Sequence, residues 1–311
     1  MGSIKFLRVA ALLLFIVIGA TSAARGDVKI YPGFNSVTVG KGNTPSVNDG
    51  GGPALKDVTT IGFAGKQWNV IGYNGTGIAS KAGTMTLLLS NGYEFAISAF
   101  GSNNNYSGSI LQEAMNNAYS SANLGEQDVV TPHTLSDGIA GPEIQNARFW
   151  PLSTEEAKDV AFYVREFSTG WWLRSPVNGR VIIVADNGGI IATGILTSNT
   201  RAVRPAFILK LSNVIFTSAA SGGKPTTVRS VLEDVGAPTG ALKLTVSSSD
   251  LNLTSVTPIS IENRTIKFDY SGSGAIVGKK LSAIISDDTG ALKKYGVCSS
   301  HRLPIAARIF L

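Results

Sequence analysis

Short apolar runs closed by Asn-Gly steps fill this chain from Ile61 onward, and that punctuation constrains its fold more than any other feature. "TIGFAGKQWNVIGYNG" and "TMTLLLSNG" are rich in strand formers and end at Asn74-Gly75 and Asn91-Gly92. Asn and Gly tolerate the positive φ that tight hairpin turns require. Farther on, "GRVIIVADNGGIIATGIL" is two apolar runs joined by Asp186-Asn187-Gly188-Gly189, a strong hairpin signal. "RAVRPAFILKL" is a third run, and Pro205, which has no N–H to donate, places its start at an edge or a bulge.

Two helical stretches interrupt this pattern. Ser109 and Gln112 form a capping box ahead of Ile110, Leu111, Ala114, Met115, Ala118 and Tyr119, which share one helical face. The spacing predicts a helix ending near Ser121. A second helix is predicted over "PLSTEEAKDVAFYV", capped by Ser153 with Glu156 closing the box. These helices fall too irregularly between the strands for βαβ units, so residues 58–213 read as an α+β domain.

The N-terminus, "MGSIKFLRVAALLLFIVIGATSAARG", has Lys5 and Arg8 before an apolar stretch over 9–19 and small residues at Ser22-Ala23-Ala24. That is the layout of a signal peptide, and the stretch is shorter than the roughly 18–20 residues of a membrane span. Residues 1–24 are therefore expected to be removed, with cleavage near Ala23 or Ala24. The mature chain is then secreted or displayed at the cell surface, without a membrane span. Residues 25–57, with Gly50-Gly51-Gly52-Pro53, read as a flexible segment. Cys298 is the only cysteine, so no intrachain disulfide can form. The net charge of +6 is spread without a Lys/Arg run, which argues against nucleic acid as a partner.

Composition changes again at 218–227, "SAASGGKPTT", a linker. Beyond it "ALKLTVSSSDLNLTSVTPISIENRTIKFDYSGSGA" alternates with the period of half-buried strands. Residues 225–300 read as a small all-β immunoglobulin-like sandwich. For the tail 301–311, "HRLPIAARIFL", a closing strand, a tail peptide and a shifted reading frame all stay open. Sequons occur at Asn74, Asn105, Asn252 and Asn263 and matter only in a glycosylating host.

Chemistry concentrates in one place. Trp171, Trp172, Arg174, Arg201 and Arg204 fall on neighbouring strands if the hairpins form. Strand alternation points the two tryptophans to opposite faces, so one is expected in the core and the other is free to face outward. An exposed Trp can stack on a sugar ring while Arg binds a carboxylate or sulfate. The alternative is that both rings pack and an arginine stacks on one of them. Catalytic signals are poor. His133 has Ser136 and Asp137 only as sequence neighbours, Glu155 and Glu156 fit capping, and no P-loop, dinucleotide fingerprint or zinc-ligand spacing occurs. No catalytic, cofactor-binding or metal-ligating residue is assigned.

"WWLRSP", the glycine-rich hairpin and "RAVRPAFIL" together resemble a family of unknown function found in exported bacterial multidomain proteins. The upstream "IGFAGKQWNVIGYNG", "ILQEAMNNAY" and "FWPLSTEEA" are similar to that family's opening hairpin, helix and capped helix. The resemblance covers roughly 58–211. It implies a C-type-lectin-like fold, shared with formylglycine-generating enzymes, followed by a β-rich module. Formylglycine generation itself needs cysteine chemistry, and no cysteine lies in this domain. The expected function is an exported binding or adhesion module recognising a glycan or a surface protein through Trp171 or Trp172, Arg174, Arg201 and Arg204. A purely structural surface domain is the alternative. An enzyme acting on glycan or cell-wall material, using His133, Glu143 or Asp186, is a third reading.

Overall fold

The computed structural model describes residues 37, 39–40, 58–92, 95–122, 129–136 and 138–214 with their side chains. Beyond them it describes the backbone of further strands and the burial of Leu242 and Leu244. The chain divides into two compact units. The first is Ser36–Asn213 with Gly240–Leu244, and the second is Met1–Asn35 with Val214–Thr239 and Thr245–Leu311.

The hairpin punctuation is realised in the first unit. Strands β1 (Thr60–Phe63) and β2 (Lys66–Tyr73) pair antiparallel around Ala64-Gly65, both at positive φ. Asn74-Gly75 turns β2 into β3 (Thr76–Gly77), again with both residues at positive φ. β2 then pairs with β4 (Thr84–Leu89), and β4 with β13 (Ala206–Lys210). β6 (Val130–Thr131) lines the far side of β13. On the other side β14 (Leu242–Val246) joins β1 in parallel, through Leu242 opposite Ile61 and Lys243 opposite Gly62. A strand from the region read as the second module is thus added to the first unit's sheet. A parallel pair needs a long crossover, and residues 64–241 supply it.

The middle strands of this sheet are buried nearly throughout. Met85, Thr86, Leu87, Leu88 and Leu89 are sealed in sequence, as are Ala206, Phe207, Ile208 and Leu209. Trp68 centres an aromatic cluster, edge-to-face with Phe207 at 4.7 Å and with Phe149 at 5.6 Å. Its Nε1–H donates to the Phe63 carbonyl at 3.0 Å, so the buried indole carries no unmet donor.

A second sheet runs in the order β11, β10, β9, β12, β5. Its members are β5 (Ile97–Ala99), β9 (Trp171–Val177), β10 (Arg180–Val184), β11 (Ile190–Ile195) and β12 (Thr200–Ala202). β9 and β10 turn at Asn178-Gly179, both at positive φ. β7 (His133–Leu135) and β8 (Ile144–Ala147) form a separate ribbon.

Helix α1 spans Ile110–Ser121, ending where the spacing placed it. Ser109 Oγ accepts from Gln112 N at 3.0 Å, while the Gln112 side chain reaches back to the N–H of Gly108, one residue beyond the expected box partner. Leu111, Met115 and Ala118 are buried, whereas Ile110 is half exposed. The expected second helix is two helices: α2 (Thr154–Asp159) and α3 (Phe162–Arg165). Between them Val160 and Ala161 are extended at ψ 136 and 139, and the Ala161 N–H donates to Gly40 O rather than within a helix. β-Branched Val160 is buried in that conformation, so tertiary packing overrides the helical pattern. Helices are the minority among the described residues, and the unit is β-rich.

In the second unit, Leu251–Glu262 and Thr265–Gly274 form a long antiparallel hairpin. Ala307–Phe310 pairs antiparallel with its second strand. Leu281–Ser286 pairs with Leu292–Ser299, and Glu233–Asp234 extends that sheet at Tyr295 and Lys294. Of the expected signal segment, only the backbone of Leu14–Ile16 is described, as a strand antiparallel to Leu281–Ser286. The rest of that segment, the flexible segment 25–57 apart from residues 37, 39 and 40, and residues 220–227 of the linker lie outside the described residues.

Candidate functional site

The constellation at Trp171 begins with a bulge. Trp171 and Trp172 sit opposite Val184 and Ile183, and the register then shifts before Pro176 meets Val181. Leu173, Arg174 and Ser175 therefore face a single residue of β10, a bulge that breaks alternation and re-aims side chains. Arg174 N donates to Leu152 O at 2.9 Å instead of to β10. All five residues from Trp171 to Ser175 are buried.

Both tryptophans are fully buried, which is the arrangement in which both rings pack and an arginine, here Arg204, stacks on one of them. The two rings do point to opposite faces of β9, but each face is covered. On one side Trp171 Nε1–H donates to the Arg165 carbonyl at 3.0 Å, and the Arg204 guanidinium lies 4.8 Å from its ring centroid. On the other, Trp172 Nε1–H donates to Ser98 O at 2.8 Å and its ring meets Phe100 edge-on at 5.5 Å.

The two arginines are equally enclosed. Arg174 Nη1 donates to Pro151 O at 2.9 Å and pairs with Glu156 Oε2. Glu156 also accepts from Ser153 N at 2.8 Å, completing the box in which Ser153 Oγ accepts from Glu156 N. Ser175 Oγ takes the Thr154 N–H at 2.8 Å. The orphan donors of the α2 N-terminus are thus met by side chains from β9 and from the helix itself. Tyr106 is sealed in the same region, and burial pushes its hydroxyl well above the usual phenol range against the pull of Arg174. Gly138 closes over these groups at φ +62. A Cβ there would sit 2.6 Å from Ser153 Cβ and 2.9 Å from Ser175 Oγ. Gly138→Ala is accordingly expected to lower the melting temperature by several degrees in a thermal scan, since the φ and the contact both oppose it.

Arg204 is fully buried and donates three hydrogen bonds to backbone carbonyls: Nε to Leu89 at 2.9 Å, Nη1 to Arg165 at 2.9 Å and Nη2 to Val164 at 2.7 Å. The last two are the unmatched carbonyls at the end of α3. Phe167 and Trp171 flank the guanidinium at 4.5 and 4.8 Å. Burial pulls its pKa down to about 9, which still leaves it protonated at neutral pH.

Arg201 is separate from this core. It is half-buried, its Nη1 donates to the carbonyl of Thr200, and its side chain runs beside Gly170. Of the five residues expected to contact a ligand, Trp171, Trp172, Arg174 and Arg204 are inside the fold. The bulge and the broken helix that put them there leave no periodic trace in the sequence.

The residues of the enzymatic reading are dispersed over separate elements. His133 is half-buried on β7, its ring 4.6 Å from that of Trp150. Glu143 is exposed just before β8. Asp186 is exposed in the β10–β11 turn, where its Oδ1 accepts from Asn187 N. Asp137 lies outside the described residues. Among the described residues no group of three or more His, Cys, Asp or Glu is placed to hold a metal ion, and no helix is long and apolar enough to cross a membrane.

No curated protein and no solved structure was found to match the chain. A family model does match over residues 124–211, which takes in β6 to β13 and the buried Trp150, Trp171 and Trp172; β1 to β5 and α1 lie outside the matched stretch. The model matched over residues 124–211 is that of a domain of unknown function, DUF6273.

Proposed function

We propose that this chain is an exported surface module whose first unit is a rigid structural platform, with the "WWLRSP" and "RAVRPAF" segments acting as its internal lock. One observation carries the reading: Trp171, Trp172, Arg174 and Arg204 are fully buried, and their side chains donate to the backbone carbonyls of Arg165, Ser98, Pro151, Leu89 and Val164 and to Glu156. Arg174 fastens the start of α2, and Arg204 fastens the end of α3. The lock thereby holds two helices too short to be stable alone against the sheets. A C-type-lectin-like architecture for this unit rests on the sequence resemblance, and an immunoglobulin-like one for the second on its strand alternation. Export rests on the N-terminal signal layout. Platforms of this kind carry recognition on their loops, so a glycan or a surface protein remains the expected partner class.

The four tryptophans of the chain, Trp68, Trp150, Trp171 and Trp172, are all fully buried. Acrylamide quenching of the native protein is therefore expected to be weak, rising several-fold on unfolding in guanidinium. A native quenching constant close to the unfolded one would sink the lock. So would loss of glycan-array binding by a Trp172→Ala protein that keeps its wild-type melting temperature.

A further inference from the structure

Arg165 is the one buried cation of the signature region whose side chain finds no polar partner. The residue is 5 % exposed, and its Nε is sealed without a hydrogen-bond acceptor. Among the described residues its guanidinium makes no ion pair or hydrogen bond. Its contact is with the Phe162 ring, whose centroid lies 5.3 Å from Cζ. Phe162, one turn earlier on α3, is a large apolar side chain left 36 % exposed.

The surroundings sharpen the anomaly. The Arg165 carbonyl already serves Trp171 and Arg204, so a second sealed guanidinium stands close by, itself bonded only to carbonyls. The neighbouring carboxylate, Glu166, is exposed and runs beside Gly188 instead of pairing with Arg165. A guanidinium withdrawn from water with no paired acid is held at raised energy, because burial removes hydration without returning a counter-charge. Burial also lowers the Arg165 pKa from its ordinary value. Unlike Nε, the terminal nitrogens of Arg165 are not among the sealed atoms, which leaves an approach from solvent.

We propose that Arg165, with Phe162 beside it, is a recognition point for the carboxylate of a small ligand. A planar guanidinium presents parallel N–H donors whose spacing matches the two oxygens of a carboxylate, and a bidentate pair is strongest where water is excluded. The exposed part of the Phe162 ring offers apolar ground for the carbon skeleton. The carboxylate belongs to a free organic acid or to a sugar acid, and the same chemistry serves both. This inference goes beyond the platform reading and stands on different side chains.

Thermal unfolding of the full chain at matched ionic strength tests it, with sodium chloride, acetate, glucuronate and neutral glucose as the added solutes. Acetate and glucuronate are expected to raise the wild-type melting temperature saturably above the chloride control, and glucose is expected to leave it unchanged. A larger rise with glucuronate assigns the site to a sugar acid, and an equal or larger rise with acetate assigns it to a free acid. Arg165→Met, equally long but uncharged, is expected to match or exceed the wild-type melting temperature in chloride and to lose the carboxylate response. Arg165→Lys, with a point charge in place of a fork, is expected to lose most of it. No carboxylate-specific rise in the wild type, or an undiminished rise in Arg165→Met, overturns the proposal. Titration of the wild type followed by amide NMR reads the same question without substitution: shifts centred on residues 162–166 support the site, and shifts elsewhere overturn it.

Discussion

Arg204→Ala is expected to destabilise the first unit by roughly 3–5 kcal/mol, the range for removing one member of a buried polar network. The carbonyls of Leu89 and Val164 lose the Arg204 donor at once, and that of Arg165 is left with Trp171 Nε1–H. Each buried acceptor left unmet costs about 1–3 kcal/mol before relaxation. The slot between Phe167 and Trp171 is emptied as well, with the loss of two cation–π contacts. Arg204→Lys should recover part of this, since an ammonium can reach one or two of the carbonyls but cannot span three in a plane. Urea unfolding followed by far-UV circular dichroism measures the difference, with the slope against denaturant expected to hold while the midpoint falls. A loss under about 1 kcal/mol for the alanine variant would show that the guanidinium is not the tie between α3 and the sheets.

Glu156→Ala should produce the second-largest effect, about 2–4 kcal/mol, because one carboxylate serves two structures. It closes the α2 capping box through Ser153 N and neutralises the fully buried Arg174. A lost cap is worth about 1 kcal/mol. Breaking a buried pair by removing one partner costs roughly 3–5 kcal/mol, here discounted because the Glu156 side chain keeps 15 % exposure. The stranded charge accounts for most of the expected loss, and a double mutant separates the two contributions. Adding Arg174→Met to Glu156→Ala removes the uncompensated cation and is expected to restore at least half of the stability. Glu156→Gln keeps an acceptor for Ser153 N–H and should fall between wild type and alanine. If the double variant is less stable than Glu156→Ala alone, the Arg174–Glu156 charge pair is not the source of the effect.

Much of the frame was legible because the signals are local. A turn needs particular backbone angles at two residues, so Asn74-Gly75 marked a real hairpin end, and both residues take positive φ as required. Helix α1 was legible for a similar reason. Its cap, its apolar face and its length are all local, and the departures are small: Ile110 falls at the rim of the buried face, and Gln112 closes on Gly108 N–H in place of Ser109 N–H. The second helix was misread because its break depends on something distant. Nothing in "AKDVAFYV" reports that Gly40 O will take the Ala161 N–H, or that Val160 is buried better in extended form.

The arginine–tryptophan segment shows the same division. Period-two alternation is a statement about a regular strand with two distinguishable faces. β9 is regular only up to Trp172, and its two faces are both covered, by Arg204 and Phe167 on one side and by Ser98 and Phe100 on the other. Burial of Arg174 and Arg204 was equally beyond local reasoning, since their acceptors lie 18 to 115 residues away in sequence. Phe162 and Arg165 drew no notice in the sequence for the converse reason. A Phe and an Arg three apart on a helix read as ordinary amphipathic spacing. Only the packing of Trp171 and Arg204 around the end of α3 leaves that side chain with a sealed Nε and no paired acid.

The sequence by itself determined where this chain turns, where α1 and α2 begin, and that Trp171, Trp172 and Arg174 share one strand. Those are properties of neighbouring residues, written in φ preferences, caps and apolar spacing. Tertiary structure alone decided that this strand lies in an interior and not at a surface. Burial depends on what distant segments lay over a strand, and here α2 and α3, separated by one extended step, close over it.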